Sequence, residues 1–170
     1  MIDPIPIIRE ILKEYALPAS GIHGIVHWAR VLENGLKLAD ETGADREVVS
    51  LFALFHDSRR INERTDPDHG RRGAIYAESW RGRLFDLNDA DFELLRQACD
   101  LHTDGLLEGD MTLQTCWDAD RLDLGRVGIT PLPRKLCTPA ARRLIAWADA
   151  RAQMDFEPEL LAPLGYLRDS

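Results

Sequence analysis

The stretch 52–70, FALFHDSRRINERTDPDHG, runs an apolar segment straight into His56 and Asp57 and brings a further histidine, His69, thirteen positions after the first. His56 shares a stripe with Val49, Phe52 and Ala53 at three- and four-residue spacing, so a helical period aims its imidazole into the core. A buried imidazole needs a partner, and the residue that follows it is a carboxylate.

The rest of the chain has the same period. Apolar residues recur every three or four positions, strict alternation is absent, and no Val-Ile-Thr-rich runs stand between turn signals. This predicts an all-α protein, a single compact helical bundle of about seven helices, over 5–16, 22–42, 45–58, 70–81, 88–103, 112–124 and 139–154. Asp45 and Asn88 are placed to cap the third and fifth helices, and Thr138-Pro139 reads as a cap followed by proline at the first helical position. The proline-bearing segment 125–137, GRVGITPLPRKLC, and the tail after Met154 read as loops. With no repeat or linker, residues 1–170 read as one domain, with a core over about 22–124 and a C-terminal helix and tail over 139–170.

Composition narrows the function. A chain of 170 residues with 45% hydrophobic content can bury a core unaided. No stretch reaches the roughly 18 to 20 apolar residues of a membrane span, and the start, MIDPIPIIREIL, does not resemble a signal peptide, so a soluble cytoplasmic protein without a membrane partner is expected. Cys99, Cys116 and Cys137 are too scattered for a disulfide framework. A net charge of −8 and the lack of a basic stripe argue against long nucleic acid, whereas a small phosphorylated molecule needs only a local arginine cluster.

Two more histidines point inward by the same test: His27 with Trp28, Val31 and Leu38, and His102 with Leu95, Ala98 and Cys99. In TCWDADRLDLG, residues 115–125, Asp118 and Asp120 lie about 200° apart around a helix. Asp120 shares its stripe with Leu113, Cys116, Trp117 and Leu124, and Asp118 falls with Arg121 and Gly125, so Asp120 is expected inside and Asp118 outside. An isolated buried carboxylate is costly unless a cation neutralises it, and no lysine or arginine shares its stripe. Inward imidazoles and carboxylates are the donors of a divalent cation of borderline softness.

These residues resemble the HD superfamily of metal-dependent phosphohydrolases, marked by a histidine, a His-Asp doublet and a distal aspartate on separate helices. The resemblance is carried by His27 in HWARVLENGLKLA, by His56-Asp57 in LFALFHDS and by Asp120 in DADRLDLG, and it covers about 22–124. His69 in DPDHGRRGA and His102 in ACDLHTDG resemble the extra pair of the dinuclear branches. That resemblance implies one ion on His27, His56, Asp57 and Asp120 and a second on Asp57, His69 and His102. His23, one turn before His27, could face the same site, but it reads first as a surface histidine at a helix start and stays outside this set. Two features of better-known branches are missing: the glutamate that closely follows the doublet is replaced by SRR, and there is no Gly-Tyr-Pro signature.

The implied activity is hydrolysis of a small phosphorylated substrate such as a nucleotide by metal-activated water, with one or two divalent transition metal ions (Fe, Mn, Zn, Co or Ni). Asp57 would take part in catalysis as the carboxylate common to both ions. Arg59, Arg60, Arg71 and Arg72 flank the ligands and are candidates to grip phosphate, and Asp104, two residues after His102, is a candidate proton shuttle. The six-ligand pattern also resembles that of di-iron oxygenases of the same superfamily acting on small polyols or phosphonates. A non-catalytic ligand-binding HD domain is the third reading, and the intact ligand set argues against it.

Overall fold

Asp45, Asn88 and Thr138 each begin a helix as their side chains suggest. In the computed structural model, which describes residues 2–153 and 158–164, Asp45 Oδ1 accepts from the backbone N–H groups of Glu47 and Val48 at 2.9 Å. Asn88 Oδ1 accepts from Asp91 N–H at 3.0 Å and Thr138 Oγ1 from Ala141 N–H at 3.1 Å, each satisfying a donor with no partner inside its helix. The helices run α1 Pro4–Lys13, α2 Ile25–Thr42, α3 Arg46–Phe55, α4 His69–Trp80, α5 Asp89–Leu101, α6 Met111–Arg121 and α7 Pro139–Gln153. There is no β-strand among the described residues, only an isolated bridge between Arg81 and Phe85, so the architecture is all-α.

Three differences from the sequence reading matter. The third helix stops at Phe55, and residues 56–59 form a turn, so His56 and Asp57 stand just past a helix end and the doublet can face two ways. The second helix starts at Ile25, with Gly24 as its cap, which leaves His23 in the preceding turn. Segment 125–137 carries short 3₁₀ turns at Leu124–Val127 and Pro133–Lys135, and Glu159–Leu164 forms another within the expected tail. The expected end of the last helix at Met154 lies outside the described residues.

Helix α2 lies against α3, α6 and α7, α3 against α5 and α6, and α4 pairs with α5. Trp28, Phe52, Phe55, Leu95 and Trp117 fill the space between them, each buried to within a few per cent. Two glycines on α4 bring it close to its neighbours. A Cβ on Gly70 would sit 2.1 Å from the Cys99 carbonyl oxygen, and one on Gly73 would sit 2.2 Å from that of Phe55. Those contacts would force backbone apart, so the approach of α4 to α3 and α5 requires glycine at both positions. No helix among the described residues is long and apolar enough to cross a membrane.

Candidate metal centre

Four helix ends and the turn behind α3 converge on one buried cluster. His27 comes from the first turn of α2, His56 caps α3, His69 opens α4 and His102 caps α5, while Asp120 comes from the last turn of α6.

The hydrogen bonds fix the histidine tautomers. His27 Nδ1 lies 2.7 Å from Asp123 Oδ2, an ionised carboxylate that can only accept, so the proton is on Nδ1. His56 Nδ1 donates to the carbonyl oxygens of Phe52 and Ala53 at 3.1 Å, His102 Nδ1 to that of Cys99 at 2.7 Å, and His69 Nδ1 to that of Asp66. Imidazoles held in this way turn four Nε2 atoms inward, that of His69 with Arg60 Nη1 3.1 Å away. The Nε2 atoms of His27 and His56 are 3.1 Å apart, and those of His69 and His102 are 2.9 Å apart. Lone pair facing lone pair at that distance is repulsive unless a cation lies between them. Two nitrogens bound at about 2.1 Å and at right angles on one metal would sit about 3.0 Å apart, so the separations fit edges of a coordination shell.

The Asp57 carboxylate lies between the two histidine pairs. Its Oδ2 is 3.6 Å from His27 Nε2 and 3.8 Å from His56 Nε2, and its Oδ1 is 3.0 Å from His69 Nε2 and 3.8 Å from His102 Nε2. Asp120 Oδ1 faces only the first pair, at 3.4 Å from His27 Nε2 and 3.7 Å from His56 Nε2. Neutral imidazoles and ionised carboxylates are the forms a metal binds. Burial lowers His27 and His102 to about 4, helped by Arg126 at the first and His56 at the second. Burial pushes Asp57 and Asp120 upward, but the surrounding imidazoles outweigh it, holding Asp57 well below the usual carboxylate range and Asp120 at about 2. This buried His/Asp cluster can therefore hold a metal ion, with hard oxygen and borderline nitrogen donors that suit a divalent transition metal.

Several residues stand elsewhere than expected. Asp118 is fully buried, not outside: its carboxylate accepts from the backbone N–H groups of Cys137 at 2.7 Å and Thr138 at 2.8 Å and from the Thr138 hydroxyl at 2.8 Å. Helix α6 is enclosed on two sides, so one aspartate faces the cluster and the other anchors the start of α7. Of the four arginines only Arg60 enters the cluster, its Nη1 lying 3.4 Å from Asp57 Oδ1 and 3.1 Å from His69 Nε2. The structure does not bring Arg59, Arg71 or Arg72 to the cluster. Arg59 pairs with Glu14 over the Tyr76 ring, Arg72 forks onto Asp66 at 2.6 Å, and Arg71 is exposed. Asp104 is also exposed, with its backbone N–H closing a turn onto the Leu101 carbonyl.

Two residues outside the expected ligand set join the cluster. His23 Nδ1 sits 2.7 Å from Asp57 Oδ2, with its Nε2 3.9 Å from Glu63 Oε2, and it forms a third close group with His27 and Asp57. Asp123 is buried behind His27 and is held by Arg30, which donates to Oδ1 at 2.6 Å and Oδ2 at 3.1 Å. A carboxylate on the far nitrogen of a ligating histidine fixes its orientation and raises its basicity. Asp123→Asn is therefore expected to weaken metal binding about 10- to 100-fold while leaving the ion count at saturation unchanged, as titration of metal-free protein would read. Unchanged affinity would make Asp123 merely a support for Arg30.

Fold and cluster together, with a histidine on α2, a His-Asp doublet behind α3 and an aspartate on α6, are those of an HD domain protein. Among solved structures the chain is similar to the crystal structure of a predicted HD superfamily hydrolase from an uncultured Thermotogales bacterium. The two are 26% identical, with a TM-score of 0.67 over 88% of this chain and 87% of the other. No protein-family model matches the chain, and no curated protein does.

Proposed function

We propose that the chain hydrolyses phosphoric esters of small molecules at a centre of two divalent transition metal ions. Support comes chiefly from Asp57, whose two oxygens face two histidine pairs that each turn their Nε2 atoms inward. His27, His56, Asp57 and Asp120 would hold one ion, and Asp57, His69 and His102 the other. Fe, Mn, Zn, Co and Ni all suit these donors. When bound, such ions polarise a phosphoryl oxygen and bring the pKa of a bound water toward about 7.

The chain's own groups do the rest. Arg60 places positive charge beside Asp57 Oδ1, but it also donates to the backbone carbonyls of Asn62 and Arg64, so it steadies the carboxylate and is poorly free to follow a substrate. His23 stands at the edge of the cluster with its Nδ1–H given to Asp57 and its Nε2 toward Glu63, 3.9 Å away, where it can pass a proton to the leaving oxygen. A compact ester fits this centre better than a long polyanion, given a net charge of −8.

The test has two parts. Metal-free protein titrated with Mn, Fe, Co, Ni or Zn is expected to take up about two equivalents, and His69→Ala about one. A phosphatase screen with the retained metal is expected to show turnover. Saturation at one equivalent in wild type, His69→Ala and His102→Ala alike would leave a mononuclear centre. The same ligand set also suits a di-iron oxygenase, and oxygen consumption by the iron-loaded protein without phosphatase turnover would replace the hydrolase reading with that one.

A further inference from the structure

The only ligand of the cluster with appreciable exposure is Asp120, whose side chain is 20% exposed, whereas those of His27, His56, Asp57, His69 and His102 are at 4% or below. The cluster is therefore most open along the C-terminal end of α6. A pocket of about 250 Å³ lies beside that end. Its lining includes Arg121, next to Asp120; Leu124, one helical turn further on; and Gly105, three residues past His102. Two ligand-bearing segments thus continue directly into its wall.

The wall is apolar. Ile129, Pro131, Leu132 and Leu136 supply most of the rest, with Thr130 and Lys135 at its edge, and Ile129 at 53% and Leu132 at 46% exposure leave large aliphatic groups open to water beside a charged centre. Its polar groups are mostly engaged. The Arg121 guanidinium donates to the carbonyls of Leu106 and Lys135 and to Cys137 Sγ, and the Thr130 hydroxyl is 3.3 Å from Asp149 Oδ2. A nucleobase here would bury donors and acceptors without partners, which such a wall disfavours. The larger pocket, about 430 Å³, lies against the outer face of α4 and reaches the cluster only through Arg60, whose donors are taken by Asp57 and the carbonyls of Asn62 and Arg64. Asp57 and His69 behind it are 3% and 4% exposed, and its Arg59 and Arg72 are paired with Glu14 and Asp66.

We infer that this pocket receives the apolar organic group of the ester, so the substrate class is phosphate monoesters of aliphatic or aromatic alcohols. The inference rests on the hydrolase reading. In the reaction, a P–O bond forms from water and the P–O bond to the organic group breaks. Its oxygen takes a proton, and inorganic phosphate and an alcohol are released, the latter from the apolar pocket.

The experiment uses the full metal-loaded chain with n-alkyl phosphates from methyl to hexyl, and the metal-free chain with 1-hexanol observed by NMR of the isoleucine and leucine methyls. Complete burial of a CH₂ corresponds to up to about a fourfold gain, so kcat/KM is expected to climb by that factor per methylene until the pocket is full. Leu132→Asp, at an exposed position, is expected to lower the slope below twofold per methylene with metal content unchanged. Hexanol is expected to shift the Ile129 and Leu132 methyls without metal or turnover. Turnover that is flat with chain length, without those shifts, overturns the pocket assignment and leaves the hydrolase standing. Faster turnover of nucleoside monophosphates than of hexyl phosphate overturns it too. No turnover of any ester, even if hexanol binds, overturns the hydrolase reading and the leaving-group assignment with it.

Discussion

Asp57→Ala is expected to leave the purified chain without bound transition metal and without turnover, while its helical content stays that of the parent. Asp57 is the only ligand whose two oxygens face different histidine pairs, so its removal takes a donor from both. It also removes one of the two carboxylates that offset positive charge in a buried setting, leaving Asp120 beside the first histidine pair and, among the described residues, no carboxylate beside the Nε2 atoms of the second. The backbone around it is secured independently, since Ser58 N–H and the Ser58 hydroxyl both bond to the Phe55 carbonyl and Arg60 N–H closes onto the Asp57 carbonyl. Elemental analysis of the purified variant, with circular dichroism alongside, makes the measurement. The gain in thermal midpoint on adding metal, present in the parent, should vanish as well. Retention of full metal content and turnover would remove Asp57 from the centre.

Asp118→Ala should do the opposite, costing stability and sparing the centre. Hydrogen bonds to a charged group contribute about 1.5–3 kcal/mol each, and Asp118 accepts three in full burial. Because they converge on one carboxylate they are not additive, and a loss of about 3–5 kcal/mol is expected, much of a domain's margin. Urea unfolding of the metal-free protein would read it as a lower midpoint at unchanged slope. Asp120→Asn, two residues away, should keep the unfolding midpoint near the parent's and lose metal. If both variants lost metal alike with similar midpoints, the division of labour between the two aspartates would be wrong.

The pair also shows what periodicity can and cannot reveal. A stripe argument assumes one buried and one solvated face, and it placed His27, His56, His102 and Asp120 at the cluster because each shares a face with core residues. It failed for Asp118 because α6 is covered on its other side by the segment entering α7, a contact made across 19 residues that no local pattern announces. His23 and Asp123 lie outside helices α2 and α6, in turns where helical phase has no meaning. The three-residue step from Asp120 to Asp123 was the available signal, matched by the same step from His27 to Arg30. Arg59 looked free because its partner, Glu14, is 45 residues away.

The tight seat of α4 has a consequence for how such a centre can diverge. His69 is carried to the cluster by a helix whose approach depends on Gly70 and Gly73 lacking a side chain, and a Cβ on Gly70 would also meet His102 Nδ1 at 2.9 Å. A single added methyl there would push the second histidine pair outward without touching His27, His56 or Asp120. Half of the ligand set is thus separable from the other half by one small mutational step outside any ligand. Among homologous chains, the spelling His-Gly-x-x-Gly after the doublet should sort those that keep the second pair in reach from those that have given it up.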